Sequence, residues 1–194
     1  MTGGERRYGA ARIAGRLNGV GVAGFAPPPP DAGTGPAIVA GTGPDFVAEF
    51  LAARALAPRG AVLGVNGFGR DHGVHCDWWV SLHPEDFFAR AERIPGTRPM
   101  TCADHACPGV DRLWPIPDGR GGSALLAVCI ALAMGYGPVI VAGVRLEGGY
   151  APLRAGWEAH ARLLRGRVGT TAPDGTWIVR LLHGGKEATW PKAW

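Results

Sequence analysis

Two glycine-rich loops contain the residues of this 194-residue chain that are best suited to chemistry. Gly41-Thr42-Gly43 and Gly121-Gly122-Ser123 each stand directly before a segment whose apolar residues recur at helical spacing. Unpaired backbone N–H groups at the start of a helix, together with the helix dipole, attract anions such as phosphate. The loops add two hydroxyls, so together they indicate an anion-binding crevice. Either loop alone is also compatible with a purely structural turn.

Asn66 is a third candidate for the same crevice. It follows Ala61–Val65, an apolar run typical of a strand, and it opens an Asn-Gly turn. Open α/β sheets place ligand contacts at the carboxyl ends of their strands, and an amide side chain can both donate and accept hydrogen bonds. A plain turn is the alternative. The chain lacks a P-loop pattern, and it lacks GxGxxG because Phe46 stands where the third glycine would be.

Metal-ligand residue types occur together in two short segments. Their members are His72, His75, Cys76, Cys102, His105 and Cys107. Structural zinc sites use two ligand pairs with short internal spacing, and these segments would serve if their loops were adjacent. Neither spacing is that of a standard zinc knuckle, and the first segment runs into a predicted strand. We therefore predict no metal, with zinc as the alternative.

The candidate residues need a sheet whose strand ends come together at one edge. Apolar and β-branched runs predict strands over 37–40, 61–65, 76–82, 97–102, 110–114, 139–141 and 177–182, the last as an edge strand. Helical spacing predicts helices over 44–54, 83–92, 123–134 and 153–164. Strands that alternate with helices predict an α/β class, with a mainly parallel sheet flanked by helices.

The stretch from Ser123 to Val144 contains no charged residue and is about long enough to span a bilayer. Gly135, Gly137 and Pro138 interrupt it where a spanning helix should be continuous. The residues before the interruption have helical spacing, and those after it are β-branched. The stretch therefore predicts a buried helix followed by a buried strand, and no membrane span.

Composition indicates one globular domain, with 46% hydrophobic and 19% charged residues. We predict a Rossmann-like domain over 37–194, preceded by a basic, Gly/Pro-rich arm over 1–36. That arm is either a flexible tail or a segment that docks on a partner subunit. Four cysteines are too few for a disulfide scaffold, and no apolar signal segment precedes Pro27, so a cytoplasmic location is expected.

The formal net charge is +4, and all but Lys186 and Lys192 of the 20 basic residues are arginine. A mildly basic charge that is spread along the chain favours anionic small molecules or weak contact with nucleic acid. Nucleic-acid binding ranks last because no aromatic residues interleave with basic ones on a strand.

The succession GTGPDF, VNGFG, CDWWVSLHP and GGSALLAVCIALAMGYGPVIVAGVRL, over about residues 37–150, resembles the MptE-like/Maf superfamily. That group includes motility-accessory glycosyltransferases and archaeal pterin pyrophosphokinases, and it is distantly similar to bacterial sialyltransferases that use CMP-activated sugars. It also has short phage-encoded members. The resemblance implies a Rossmann-like fold that binds a CMP-linked or nucleoside-diphosphate-linked donor. By motif match, the donor site would include Gly41, Thr42, Gly43, Asn66, Gly122 and Ser123.

Arg145 departs from the pattern of this superfamily, whose members commonly carry an aspartate at this position. A guanidinium in place of a carboxylate removes a metal or hydroxyl contact, and it favours a phosphate or carboxylate instead. We therefore include Arg145 among the residues expected to contact the nucleotide. This reversal of charge bears on catalytic activity more than on the fold.

The expected function is a nucleotide- or nucleotide-sugar-binding transferase of glycosyltransferase type, with the nucleotide-linked donor as substrate. Such an enzyme needs a general base for the acceptor hydroxyl, and the candidates are His160, His183 and His83. No spacing ties a histidine to a serine or cysteine nucleophile. The alternative is a non-catalytic descendant that serves as a phage, assembly or interaction protein through its arm or its tryptophan-containing tail, and that forms homo-oligomers.

Overall fold

The computed structural model describes residues 34–88, 99–114, 121–172, 178 and 181. The described residues form seven parallel strands in one sheet, in the order β5-β4-β3-β2-β1-β6-β7. The strands are β1 Ala37–Ala40, β2 Ala61–Val65, β3 Trp78–Val80, β4 Met100–Ala103, β5 Arg112–Leu113, β6 Val139–Ala142 and β7 Val168–Thr170. The helices are α1 Phe46–Leu56, α2 Phe68–His72, α3 Pro84–Phe87, α4 Gly122–Ala133 and α5 Arg154–Leu164, with a 3₁₀ helix at Gly148–Leu153.

Both faces of the sheet are buried, as the continuous apolar strands require. Along β1, Ala37 and Val39 face the core that contains α4, whereas Ile38 and Ala40 face the core that contains α1. This alternation is the two-residue period of a strand. The predicted α/β class, with a Rossmann-like parallel sheet flanked by helices, is therefore confirmed.

Helix α4 is the central helix of the larger core. Ser123 and every residue from Leu125 to Leu132 are buried. The helix contacts β1, β2, β3 and β6. Its uniformly apolar sequence, which resembles a membrane span, is explained by this enclosure between the sheet and α5. No helix in the described part of the chain combines the length and the apolar character needed to cross a bilayer.

The order in which the chain adds strands to the sheet reverses at β1. From β1 it builds outward through β2 to β5, and it then returns through α4 to place β6 on the other side of β1. The register pairs Ala40 with both Gly64 and Ala142, so the carboxyl ends of these three strands lie level. Loops leave β1 and β6 in opposite directions at such a switch point and open a crevice between them.

In the last part of the chain, one predicted strand is wrong and one strand was not predicted. The expected edge strand over 177–182 is contradicted by the two described residues of that range, Ile178 and Leu181, which are helical. Ile178 is fully buried in the core on the α4 side of the sheet, and Leu181 packs against the same core. A spacing of three places both on one helical face. The edge position belongs instead to β7, which the sequence analysis missed.

Element bounds differ from prediction by a few residues elsewhere. Helix α1 begins two residues after Pro44, and α3 ends at Phe87. The third, fourth and fifth strands are shorter than or offset from their predicted runs. The N-terminal arm through residue 33 and the tryptophans at positions 190 and 194 lie outside the described residues, so their roles stay predictions.

Candidate functional site

A cavity of about 590 Å³ opens at the switch point between β1 and β6. Its volume lies within the roughly 300–1,000 Å³ range of small-molecule sites. It is bounded by the loops after β1, β2 and β6, by the start of α4 and by the 3₁₀ helix. All seven residues predicted to contact a nucleotide line it, namely Gly41, Thr42, Gly43, Asn66, Gly122, Ser123 and Arg145. We call this the switch-point cavity.

Close packing of two loops explains the glycines on the β1 side. A Cβ atom at Gly43 would lie 2.8 Å from the carbonyl oxygen of Gly143, and one at Gly143 would lie 2.5 Å from that of Gly41. The amide of Gly41 donates to Ala142 at 2.9 Å, and that of Gly43 donates to Gly143 at 2.8 Å. The expectation that this loop offers these N–H groups to a ligand is therefore wrong, because both are used to join the loops.

The start of α4 is the stronger anion-binding element. Gly122 has a φ of +72°, which favours glycine, and a Cβ there would also meet Leu153 at 2.8 Å. Among the residues that the structure describes, no side chain caps this end of the helix, so its first-turn N–H groups have no side-chain acceptor there. The buried Ser123 hydroxyl accepts the Leu82 amide at 3.0 Å and keeps its own proton for donation.

Asn66 presents donors rather than acceptors to the cavity. It has a φ of +53°, a conformation that asparagine tolerates better than most residues. Its Oδ1 accepts the hydroxyl of Ser81 at 2.9 Å, and that hydroxyl in turn accepts the amide of His83 at 2.9 Å. No hydrogen bond among the described residues uses the Asn66 Nδ2 group. The two N–H bonds of this amide are therefore available to a ligand.

Arg145 is paired with carboxylates at the start of α1. Its guanidinium lies 2.5 Å from Asp45 Oδ2 and 3.0 Å from Glu49 Oε1. Glu49 is only 3% exposed, and its other oxygen accepts the Gly143 amide at 2.7 Å. The Arg145 Nε atom is buried without a hydrogen-bond partner among the described residues. The charge that was expected to attract a phosphate is therefore already offset within the fold.

The sequence analysis missed two residues of the cavity lining that could contact a ligand. Glu147 and Tyr150 follow β6, and the Tyr150 amide donates to the Glu147 carbonyl at 3.1 Å in a turn. Tyr150 is 64% exposed, so its ring is free to receive a flat ligand at the cavity mouth. The signal that could have identified both is their position just beyond the carboxyl end of a strand at the switch point.

The described histidine candidates for a general base do not line the cavity. His160 is buried on α5, where its Nδ1 atom lies 2.8 Å from the Gly156 carbonyl oxygen. His83 is exposed and belongs to a separate group with Glu85 and Asp86. The pKa of Glu85 is lowered, first by a hydrogen bond from its own backbone and then by His105. His183 lies outside the described residues.

The alternative zinc site is not assembled in the described part of the chain. Cys76 packs in the core on the α1 side of the sheet, whereas Cys102 packs in the core on the α4 side. Burial raises the pKa of both thiols to about 12, which disfavours the thiolate form that binds zinc. His72 stacks on Phe46 with ring centroids 3.8 Å apart.

No protein-family model, curated protein or solved structure matches this chain. The resemblance to the MptE-like/Maf superfamily therefore stays a prediction.

Proposed function

We propose that the switch-point cavity binds a nucleotide or a nucleotide-linked sugar, and that the protein is a transferase of glycosyltransferase type. The observation that supports this most strongly is the convergence of several neutral donors in one cavity at the topological switch point. These are the uncapped start of α4, the Nδ2 group of Asn66 and the hydroxyls of Thr42 and Ser123.

In this proposal the phosphate of the ligand lies at the start of α4. Backbone N–H groups and the helix dipole attract a negative charge there, and the Ser123 hydroxyl can donate a further bond. The Asn66 amide then donates to a sugar or base oxygen. Thr42 is exposed, and no hydrogen bond among the described residues uses its hydroxyl, so it can also contact the ligand.

Tyr150 supplies a surface for the base. An exposed aromatic ring at the mouth of a nucleotide cavity can stack on any base, and such stacking contributes about 1–3 kcal/mol. Its place in the 3₁₀ helix next to the start of α5 holds the ring beside the cavity without burying it.

Charge favours a ligand with few phosphates. Among the described residues, Glu147 and Arg145 are the charged ones that line the cavity, and Arg145 already faces Asp45 and Glu49. Three carboxylates therefore oppose one guanidinium, and each added phosphate charge meets repulsion at short range. This supports a donor with a single phosphate, such as a CMP-linked sugar, over one with two.

Glu147 is the acidic residue of the lining in the described part of the chain, and we assign it the role of general base in place of the histidines. The acceptor hydroxyl oxygen attacks the anomeric carbon of the donor and gives its proton to the Glu147 carboxylate. The bond between that carbon and the phosphate oxygen breaks, and the nucleotide leaves with the bonding electrons.

Calorimetric titration of the full chain tests the binding step. With EDTA present, we expect saturable binding of CMP or a CMP-linked sugar, weaker binding of CDP and weaker still of CTP. UDP and GDP provide the comparison between bases. An absence of binding to every one of these compounds would refute the proposal.

Turnover tests the transferase step separately. Release of CMP from a CMP-linked sugar should fall at least 100-fold in Glu147→Gln, since general-base catalysis contributes about 10²–10⁴-fold. Binding of CMP should persist in that variant. The matched control is Glu158→Gln, which alters an exposed carboxylate on α5 outside the cavity.

A non-catalytic phage or assembly protein is the second candidate. It is favoured by Arg145, whose carboxylate partners hold it within the fold, and by the absence of the described histidine candidates from the cavity lining. Nucleotide binding without turnover of any nucleotide-linked sugar would favour this second function over the first.

A further inference from the structure

A second group of ligand-bearing side chains lies at the same edge of the sheet, beyond β3. His83, Glu85 and Asp86 are all exposed, and one ligand atom from each lies within 4.8 Å of the other two. We propose that these three residues bind a divalent first-row transition-metal ion, of which Mn²⁺ and Zn²⁺ are the best fits. This proposal does not rest on nucleotide binding.

The distance between His83 and Glu85 is close to the one that a shared metal ion imposes. Two ligand atoms that are each about 2.1 Å from an ion lie roughly 3–3.5 Å apart at octahedral or tetrahedral angles. The Nδ1 atom of His83 lies 3.9 Å from Glu85 Oε1. Because all three side chains are exposed, rotations that move their ligand atoms by about 1 Å bring them into a shared coordination sphere.

His105 holds the other oxygen of Glu85. Its Nε2 atom lies 3.3 Å from Glu85 Oε2, and its Nδ1 atom lies 2.6 Å from Asp104 Oδ1. The Asp104 carboxylate fixes the direction of the ring, and the ring in turn restrains the Glu85 carboxylate. Such outer contacts orient metal ligands and typically change metal affinity by about 10- to 100-fold. We assign His105 as a positioning residue.

The ligand types select the class of metal. One imidazole and two carboxylates suit manganese, iron and zinc better than copper(I), which prefers sulfur ligands. Three protein ligands leave at least one coordination position for water or a substrate oxygen. The site would therefore be of the open kind rather than a closed structural site.

The group is connected to the switch-point cavity through two short contacts. Leu82, next to His83, donates its amide to the Ser123 hydroxyl at 3.0 Å. The amide of His83 donates to the Ser81 hydroxyl, which is bonded to Asn66. The proposed metal site thus shares its supporting strand end with two residues that line the cavity.

Titration of the full chain with Mn²⁺, in the absence of nucleotide, tests the proposal. Mn²⁺ is the appropriate probe because it prefers oxygen and imidazole ligands to thiols. We expect saturable binding of one ion per chain, weakened at least tenfold in Glu85→Gln and also in Asp86→Asn. The matched control Glu158→Gln should bind as the unaltered chain does. Thermal unfolding of each variant checks that it is folded.

Paramagnetic broadening locates the ion. At low Mn²⁺ occupancy, the ring-proton resonances of His83 and His105 should broaden before those of His72, His75 and His160. Binding that is unchanged in both Glu85→Gln and Asp86→Asn, binding that does not saturate, or broadening centred on another histidine would overturn the proposal. Failure of nucleotide titration with intact Mn²⁺ binding would leave this site standing while refuting the proposed function.

Discussion

The switch-point cavity and the group of His83, Glu85 and Asp86 lie at the same edge of one sheet, yet they are built differently. The cavity is shaped by the backbone, through glycines where loops touch, an uncapped helix start and a left-handed asparagine. The group beyond β3 consists of exposed side chains on a four-residue helix and on the residue that precedes it. A site shaped by the backbone depends on contacts that also stabilise the fold, whereas a site made of exposed side chains contributes little to stability. Mutations in the two regions should therefore differ in their effect on the free energy of unfolding.

The largest loss of stability is expected when Gly143 is replaced by alanine. An added Cβ would lie 2.5 Å from the Gly41 carbonyl oxygen and 2.6 Å from Phe46 Cβ, at a φ of +65°. Because neither backbone loop can yield without losing its hydrogen bonds, Gly143→Ala should lower the free energy of unfolding by about 3–5 kcal/mol. Urea denaturation measures this.

The matched control is Gly149→Ala in the same cavity lining. No heavy atom lies within 4 Å of an added Cβ at Gly149, so its effect should stay within about 0.5 kcal/mol. Equal losses in the two variants would show that loop contact is not what shapes the cavity.

The next largest loss of stability is expected at Glu49, which links the end of β6 to α1 through hydrogen bonds. Its carboxylate accepts both the Gly143 amide and the Arg145 guanidinium while it is almost fully buried. Glu49→Gln leaves Arg145 with a weaker partner, so the free energy of unfolding should fall by about 2–4 kcal/mol. The control Glu158→Gln, on an exposed position, should change it by about 0.5 kcal/mol or less. A stable Glu49→Gln variant would contradict this role.

A smaller effect, on binding rather than on stability, is expected at Tyr150. Loss of a stacking surface in Tyr150→Ala should weaken CMP binding about tenfold, which corresponds to about 1.4 kcal/mol. Its unfolding should be unaffected because the side chain is 64% exposed. Leu51→Ala, which removes another exposed apolar side chain outside the cavity, should bind CMP normally. Equal binding by both variants would exclude the stacking role.

The smallest effect on stability is expected at His83, in the group of exposed side chains beyond β3. Its side chain is 64% exposed, so His83→Gln should change the free energy of unfolding by no more than about 0.5 kcal/mol. Thermal and urea denaturation without added metal measure this. A loss above about 1 kcal/mol would mean that the group supports the fold, and it would remove the contrast between the two regions.

The same contrast explains which parts of the molecule were predictable from sequence. The parallel sheet and the switch-point cavity follow from apolar runs that end in glycine or Asn-Gly, and those signals report backbone geometry. The roles of His83 and His160 depend on where side chains point after folding. His160 hydrogen-bonds within its own helix, and no spacing in the sequence indicates that contact.

The elements at the end of the chain were missed for a different reason. Strand β7 is three residues long with Gly169 at its centre, so local propensity gives little signal for it. The apolar, β-branched run that contains Ile178 favours a strand locally, but burial of Ile178 and Leu181 on one side selects a helix. At Ile178, therefore, tertiary packing overrides the local preference.

Amide chemical shifts during titration with CMP test the central claim most directly, because they report which region a ligand touches. We predict saturating shifts at Ser123, Gly143 and Arg145, and at the Asn66 side-chain amide, with Asp104 and His105 unaffected. Shifts centred on Asp104 and His105, or no saturable shift at any lining residue, would contradict the claim that the switch-point cavity is the nucleotide site.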